Sequence, residues 1–182
     1  MSVLTSEIAD ELIRSQGLDV TIPDIYTSIE GGIDGAFYSK NLTSVVIPDS
    51  VTTIADFAFH DNQLTSVVIP DTVTSIGRKA FGNNSLRSVA IPDSVISIGD
   101  AAFDYNDLTS ILIGNSVSSI GDSAFQGNKL TSIDIPDSVV SIGQNAFQFN
   151  SLESLVIPDS FTSIEKSAFA SNNLTSIEIP DS

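Results

Sequence analysis

The chain has no cysteine, no tryptophan, a single methionine, a single histidine and only seven lysines and arginines among 182 residues. Without cysteine there is no disulfide, no thiolate nucleophile and no cysteine-type zinc site. The lone histidine, His60, has no counterpart elsewhere in the chain, so neither a multi-histidine metal centre nor a nucleophile-and-base pair can readily be assembled around it. No Asp or Glu stands out from an acidic background either, and the chain is not expected to be an enzyme or to carry a cofactor. Twenty-three acidic residues against seven basic ones leave a net charge of -16, with no basic run. A phosphate backbone would be repelled at most approaches, so nucleic acid is not an expected partner, whereas cationic partners are favoured. No apolar stretch is long enough to span a bilayer, and the N-terminal MSVLTSEIADELIRSQG lacks the basic start and continuous apolar core of a secretory signal. What remains is a chain that is 41% hydrophobic with positive mean hydropathy, enough to bury a core in one domain.

What is abundant is repetition. Leu42, Leu64, Leu86, Leu108, Leu130, Leu152 and Leu174 recur at a step of 22 residues, and Phe37, Phe59, Phe81, Phe103, Phe125, Phe147 and Phe169 keep the same step. A fixed period in this range specifies a solenoid of stacked coils. Leu42, Val45, Ile47, Val51, Ile54, Ala58 and Phe59 of one coil have apolar counterparts in the later ones and are read as facing inward. The alternation in Ser44 to Ile47 predicts a short strand with Val45 and Ile47 inside and Ser44 and Val46 outside, ended by Pro48. A second extended segment, such as Val73 to Ile76, leads to Gly77, where a sharp corner needs either positive φ or close backbone approach. A compact turn or single helical turn carrying Ala80 and Phe81 follows. Residues 1–17 read as an amphipathic helical cap, with Leu4, Ile8, Leu12 and Ile13 on its apolar side and Gly17 as its stop. The solenoid then runs over 18–182 as about seven coils, the first irregular around Glu30, Gly31 and Gly32, and the last incomplete.

The periodic polar residues are read against architecture first. The Asn62, Asn84, Asn106, Asn128, Asn150 and Asn172 row suits a corner in which side-chain amides satisfy leftover backbone groups. Asp49, Asp71, Asp93, Asp137, Asp159 and Asp181 are expected to make Asx-type turns, because one carboxylate per coil falls well short of a calcium loop. Outward strand positions are the better functional candidates: Ser44, Ser66, Ser88, Ser110, Ser132 and Ser154 form a hydroxyl row, and Val46, Val68, Ala90, Leu112, Asp134 and Val156 run beside it. A contiguous apolar stripe outside the core marks an interaction surface.

The consensus L-x-S-V/I-x-I-P-D-S-V-x-S-I-G-x-x-A-F-x-x-N, as in Leu130 to Asn150, closely resembles the BspA-like class of bacterial leucine-rich repeats. That resemblance implies a right-handed solenoid with a parallel β-sheet, no catalytic residues, and an extracellular or cell-surface role in adhesion or protein binding. Departures from the pattern are the insertion near Gly31, Gly114-Asn115 in place of Pro-Asp, and a final repeat whose strand edge is open. The open edge is expected to be covered by further chain or by another copy, so self-association is a second expectation. A third is ice or glycan recognition by the Ser and Thr rows.

Overall fold

A computed structural model of the chain describes residues 2–32, 35–161 and 163–179. Including the irregular first coil and the incomplete last one, the chain winds into about eight turns of a parallel β-solenoid. The inward positions named above are all buried from Leu42 through Phe59 in one coil, and from Leu130 through Phe147 in another all are buried but Ile133, which packs partly buried against the core. The phenylalanines form a single stack from Phe37 to Phe169, with ring centroids 5.2 to 5.5 Å apart and interplanar angles of 3 to 11°. Identical rings on repeating backbones can do this because each lies one strand spacing from the next and nearly parallel to it.

Two strand systems run along the solenoid, one on each of the two extended segments, and the continuous one is the shorter. Seven parallel strands form an unbroken sheet from two-residue segments: Val3–Leu4, Ser28–Ile29, Thr53–Ile54, Ser75–Ile76, Ser97–Ile98, Ser119–Ile120 and Ser141–Ile142. The longer strands pair only in twos, Asp19–Thr21 with Ser44–Val46, Ser88–Ala90 with Ser110–Leu112, and Ser154–Val156 with Ser176–Glu178. The long sheet stops where Glu165 takes the place of the corner glycine. At Gly143 a Cβ would lie 2.5 Å from the backbone nitrogen of Asp122, so a side chain at this corner would push the two coils apart. Beyond it Ile164 is 50% exposed, whereas Ile142 is 3% exposed.

The corner glycines thus serve close approach, and the left-handed backbone falls on other residues. In one coil these are Lys79 (φ 54) and Asn83 (φ 54), and equivalent positions repeat along the chain, including Phe57, Tyr105 and Phe149. Between them the chain makes tight turns, closed by Ala80 N–H to Gly77 O and Gly82 N–H to Lys79 O at 3.3 Å each. No helical turn forms there.

The asparagine row works as the corner reading requires. Asn106 Oδ1 accepts from Leu86 N–H at 3.0 Å, and its Nδ2 donates to the carbonyls of Phe81 at 3.0 Å and Phe103 at 3.3 Å, so one side chain ties together neighbouring coils. A second set of ties explains the Ser or Thr after each Pro-Asp. Hydroxyls of Ser50, Thr72, Ser94, Ser138 and Ser160 donate to a carbonyl of the preceding coil at 2.6 to 2.8 Å.

The N-terminal segment covers the first coil with both a strand and a helix. Leu4 lies in the strand rather than the helix and is fully buried, and Ser6–Gln16 forms the helix. The helix start is held from the irregular loop, where the Glu30 carboxylate accepts from Ser6 N–H at 2.9 Å. At the other end the Gln16 amide pairs with both backbone groups of Thr21, donating to its carbonyl at 3.1 Å and accepting from its N–H at 2.8 Å. A side chain thereby imitates a neighbouring strand at an open edge.

Asn106→Ala should cost about 2–4 kcal/mol, since it strands the buried Leu86 N–H and releases the carbonyls of Phe81, Phe103 and Asp104. Chemical denaturation of the variant against the parent chain checks this, and a change under about 0.5 kcal/mol, the size of an ordinary surface substitution, would contradict the ladder.

Candidate binding surface

Parallel in-register winding places the outward strand positions in one row. Val46, Val68, Leu112 and Val156 are 57, 80, 65 and 61% exposed, unusually open for aliphatic side chains. Ala90 and Asp134 are exposed too, as are Ser66, Ser88, Ser110, Ser132 and Ser154. Ser44 differs: it is half-buried, and its hydroxyl donates to Asp19 Oδ1 at 3.0 Å alongside Thr43 at 2.7 Å. Those two bonds hold the Asp19 carboxyl below its ordinary value. The segments carrying Ser66 with Val68 and Ser132 with Asp134 follow the same path without strand pairing.

The row is not a plain ridge. A groove of about 470 Å³ opens across the third to fifth coils, walled by Val68 and Leu112 with Ala90 between them, floored by Ile69, Ile91 and Ile113, and edged by Asp71, Asp93 and Asn115. Its size falls within the range of ligand clefts. Two departures from the repeat coincide there. Ala90 is the smallest member of the aliphatic row, so the row dips at that coil. Gly114 replaces proline and packs onto the neighbouring coil, where a Cβ would lie 2.5 Å from Pro92 O. A second hollow, about 430 Å³, lies against the long sheet beside Gly31, Ala55, Phe57 and Gly77.

The carboxylate row at the groove edge differs from the turn motif expected of it. Among the described residues only Asp93 accepts a hydrogen bond, from Asn115 N–H of the next coil at 2.6 Å, while Asp49, Asp71, Asp137 and Asp159 accept none. Asp181 lies outside the described residues. Each of the described Asp residues stands in a turn that the backbone closes without it, as Val51 N–H donates to Pro48 O and Val95 N–H to Pro92 O at 3.1 Å each, and the carboxylates are exposed. No three acidic, histidine or cysteine side chains among the described residues come close enough to hold a metal ion. Sequence reasoning missed the groove because it arises from a dip between coils rather than from any residue type, although Ala90 and Gly114 were both visible as breaks in their columns.

The geometry is that of a leucine-rich-repeat solenoid. A model of the BspA type leucine rich repeat region matches six copies over residues 33–148 and 74–182, and the chain belongs to that family. Among solved structures, a leucine-rich repeat protein from Bacteroides ovatus is similar at 25% identity and a TM-score of 0.66, over 90% of this chain and 49% of that one. A leucine rich cell surface protein from Faecalibacterium prausnitzii is similar at 26% identity and a TM-score of 0.56, over 87% of this chain and 64% of that one. The pneumococcal vaccine antigen PcpA shares the fold at 18% identity and a TM-score of 0.56, over 88% of this chain and 56% of that one. The chain therefore spans about half to two thirds of the length of these structures. No curated protein matches it. Among the described residues no helix is long and apolar enough to cross a membrane.

Ala90→Leu should close the dip yet leave stability within about 0.5 kcal/mol, because the side chain points to solvent. Gly114→Ala should instead cost about 1–3 kcal/mol through its collision with Pro92. Thermal denaturation of the pair distinguishes the groove's wall from its foundation, and equal effects would contradict this geometry.

Proposed function

We propose that the chain is a non-catalytic binding module that captures a protein or cell-surface ligand on the exposed strand row, centred on the groove at Val68, Ala90 and Leu112. The observation that carries this reading is the exposure of that aliphatic row, with Val68 at 80% and Leu112 at 65%, on a molecule of net charge -16. Aliphatic side chains lining a cleft offer burial to an incoming apolar group, about 25 cal/mol per Å² covered. Carboxylates of Asp71 and Asp93 at the edge favour cationic neighbours of that group and speed their approach. The partner that fits is a protein segment with an aliphatic or aromatic side chain flanked by lysine or arginine. A cell-surface setting is supported by the relative from Faecalibacterium prausnitzii, described as a cell surface protein.

Glycan or ice recognition by hydroxyl rows draws less support. Thr52, Thr74, Thr109, Ser118 and Thr175 donate to carbonyls of the preceding coil at 3.1 to 3.3 Å, which commits those hydroxyls to architecture. The test is flow-cytometric binding of the labelled chain to bacterial and epithelial cells. Val68→Asp and Ala90→Asp should each reduce binding at least about tenfold, the loss of roughly 1.4 kcal/mol. Undiminished binding by folded variants removes this face from consideration.

A second reading, self-association through the last coil, is supported by Ile177 and Ile179, which are 52 and 66% exposed, whereas their counterparts Leu155 and Ile157 are 3 and 5% exposed. Like charges oppose such contact, so association should strengthen with salt as screening grows. Mass measured by sedimentation across concentration at low and high salt checks it, and a monomer under all conditions excludes self-association.

A further inference from the structure

Of the ten phenylalanines and three tyrosines in the chain, only Tyr105 and Phe149 are exposed, at 57 and 53%. They share one column, Ser39, Asp61, Asn83, Tyr105, Gly127, Phe149 and Ser171, which runs along the turns just before the asparagine row. Left-handed backbone holds both, with φ 46 at Tyr105 and 56 at Phe149. Backbone bonds carry the column from coil to coil, Tyr105 N–H to Gln126 O at 2.8 Å and Gly127 N–H to Gln148 O at 2.9 Å. The glycine between the rings has a steric reason. A Cβ at Gly127 would lie 2.8 Å from Cδ1 and 3.0 Å from Cε1 of Tyr105, so this ring lies across the next coil. Two steps of parallel pairing set the aromatic residues about 9.6 Å apart. At the surface, the flanking residues carry no net charge: Gln126 Nε2 donates to Gln148 Oε1 at 2.7 Å, and Lys129 pairs with Asp107 at 2.6 Å. Asp104 lies beneath, its carboxyl pushed up to about 6 by burial. Its Oδ1 and Nδ1 of His60 are buried without a hydrogen-bond partner, but Asp104 itself fills the notch over Gly82, where a Cβ would collide with that oxygen, so the notch offers no ligand site.

We propose that Tyr105 and Phe149 form a stacking platform for an extended, uncharged β-1,4-linked glycan, a second site on columns of the coil that the groove does not use. Sugar rings have faces of C–H bonds and edges of hydroxyls, so they match flat aromatic side chains bordered by amides. In a β-1,4-linked chain every second ring turns the same face to the same side, a repeat close to the two-coil interval between Tyr105 and Phe149. Beside them Gln126 Oε1 remains as an acceptor and Gln148 Nε2 as a donor for sugar hydroxyls. Charge selects among glycans. The strip is neutral at its surface while the molecule carries -16, so an acidic polysaccharide is repelled as a phosphate backbone is, and a neutral one is not. A protein partner fits less well, because Gly127 separates the rings and they form no contiguous apolar area. No residue of the groove takes part, so either site stands if the other fails.

Affinity electrophoresis of the intact chain in native gels tests this, with hydroxyethylcellulose as the neutral β-1,4-glucan, carboxymethylcellulose as its acidic counterpart and dextran as an α-linked control. Hydroxyethylcellulose should retard the chain, and the other two should not. Tyr105→Ala and Phe149→Ala should each weaken binding about five- to tenfold, the scale of one aromatic contact, and the double variant should migrate freely. Gly127→Asn keeps both rings and suits left-handed backbone, yet its side chain displaces Tyr105 and should weaken binding as well. Val68→Asp, in the groove, should change nothing. Melting temperatures check that each variant is folded. Equal mobility with and without hydroxyethylcellulose, equal retardation by dextran, or undiminished retardation of the double variant overturns the proposal. So does cell binding that depends on Tyr105 and Phe149 in a chain that ignores hydroxyethylcellulose, which assigns the pair to another partner.

Discussion

The distance between one coil and the next governs what every residue in this protein can be. Backbone pairing sets that distance near 4.8 Å, and each side chain then meets its own counterpart at nearly the same separation. Phenylalanine tolerates this well, because flat rings can lie parallel with centroids little more than 5 Å apart. Asparagine tolerates it because its amide is donor on one side and acceptor on the other, so a column of them reaches from coil to coil. Carboxylates tolerate it by facing solvent, as Asp49 and Asp71 do, or by finding a donor. The column of Asp56, Arg78, Asp100, Asp122 and Gln144 solves the problem by pointing each Asp at a backbone N–H of the next coil: Asp56 accepts from Arg78, Asp100 from Asp122, and Asp122 from Gln144, at 2.7 to 3.0 Å.

Much of this was legible in the sequence, because periodicity turns a long-range problem into a local one. Phe81 and Leu86 could be assigned to the core from their columns alone, and the asparagine row from the hydrogen-bonding capacity of its amide. Other features were hidden by the residue types that carry them. Left-handed backbone at Lys79 and Asn83 escaped notice since glycine is the usual marker of that conformation, and here Gly77 stands two residues away serving a different need. Both extended segments were legible, but not which of them pairs without interruption, because three-residue alternation is a stronger signal than the pair Ser75–Ile76, although close packing at the adjacent glycine favours the shorter one. Leu4 looked helical by spacing but is drawn into a strand by the open edge of Ser28–Ile29, a tertiary demand that no local pattern expresses.

The functional candidates were legible in a different way, as breaks in columns. Residues that repeat faithfully are accounted for by stacking, hydrogen-bond ladders and hydroxyl ties, so they carry little information about a ligand. Ala90 among larger aliphatics, Gly114-Asn115 among Pro-Asp pairs, and Gly82 between His60 and Asp104 are deviations without a role in uniform stacking. The first two meet in one groove and the third leaves two polar atoms unsatisfied. What could not be read from the letters was that neighbouring deviations cooperate, since that depends on which columns are adjacent around the coil.

Nearly every tie described above joins a residue to one roughly a repeat away, such as Asn106 to Leu86 or Ser94 to Val73. Excising 22 residues in frame would bring the same donors opposite equivalent acceptors, and inserting 22 would do likewise. A gene encoding such a chain can therefore lengthen or shorten by unequal recombination between its own repeats without passing through a misfolded product. The cost of such an event falls on the deviations alone: losing the fourth coil would remove Ala90 and Asp104 together and leave a shorter, well-formed molecule without its groove.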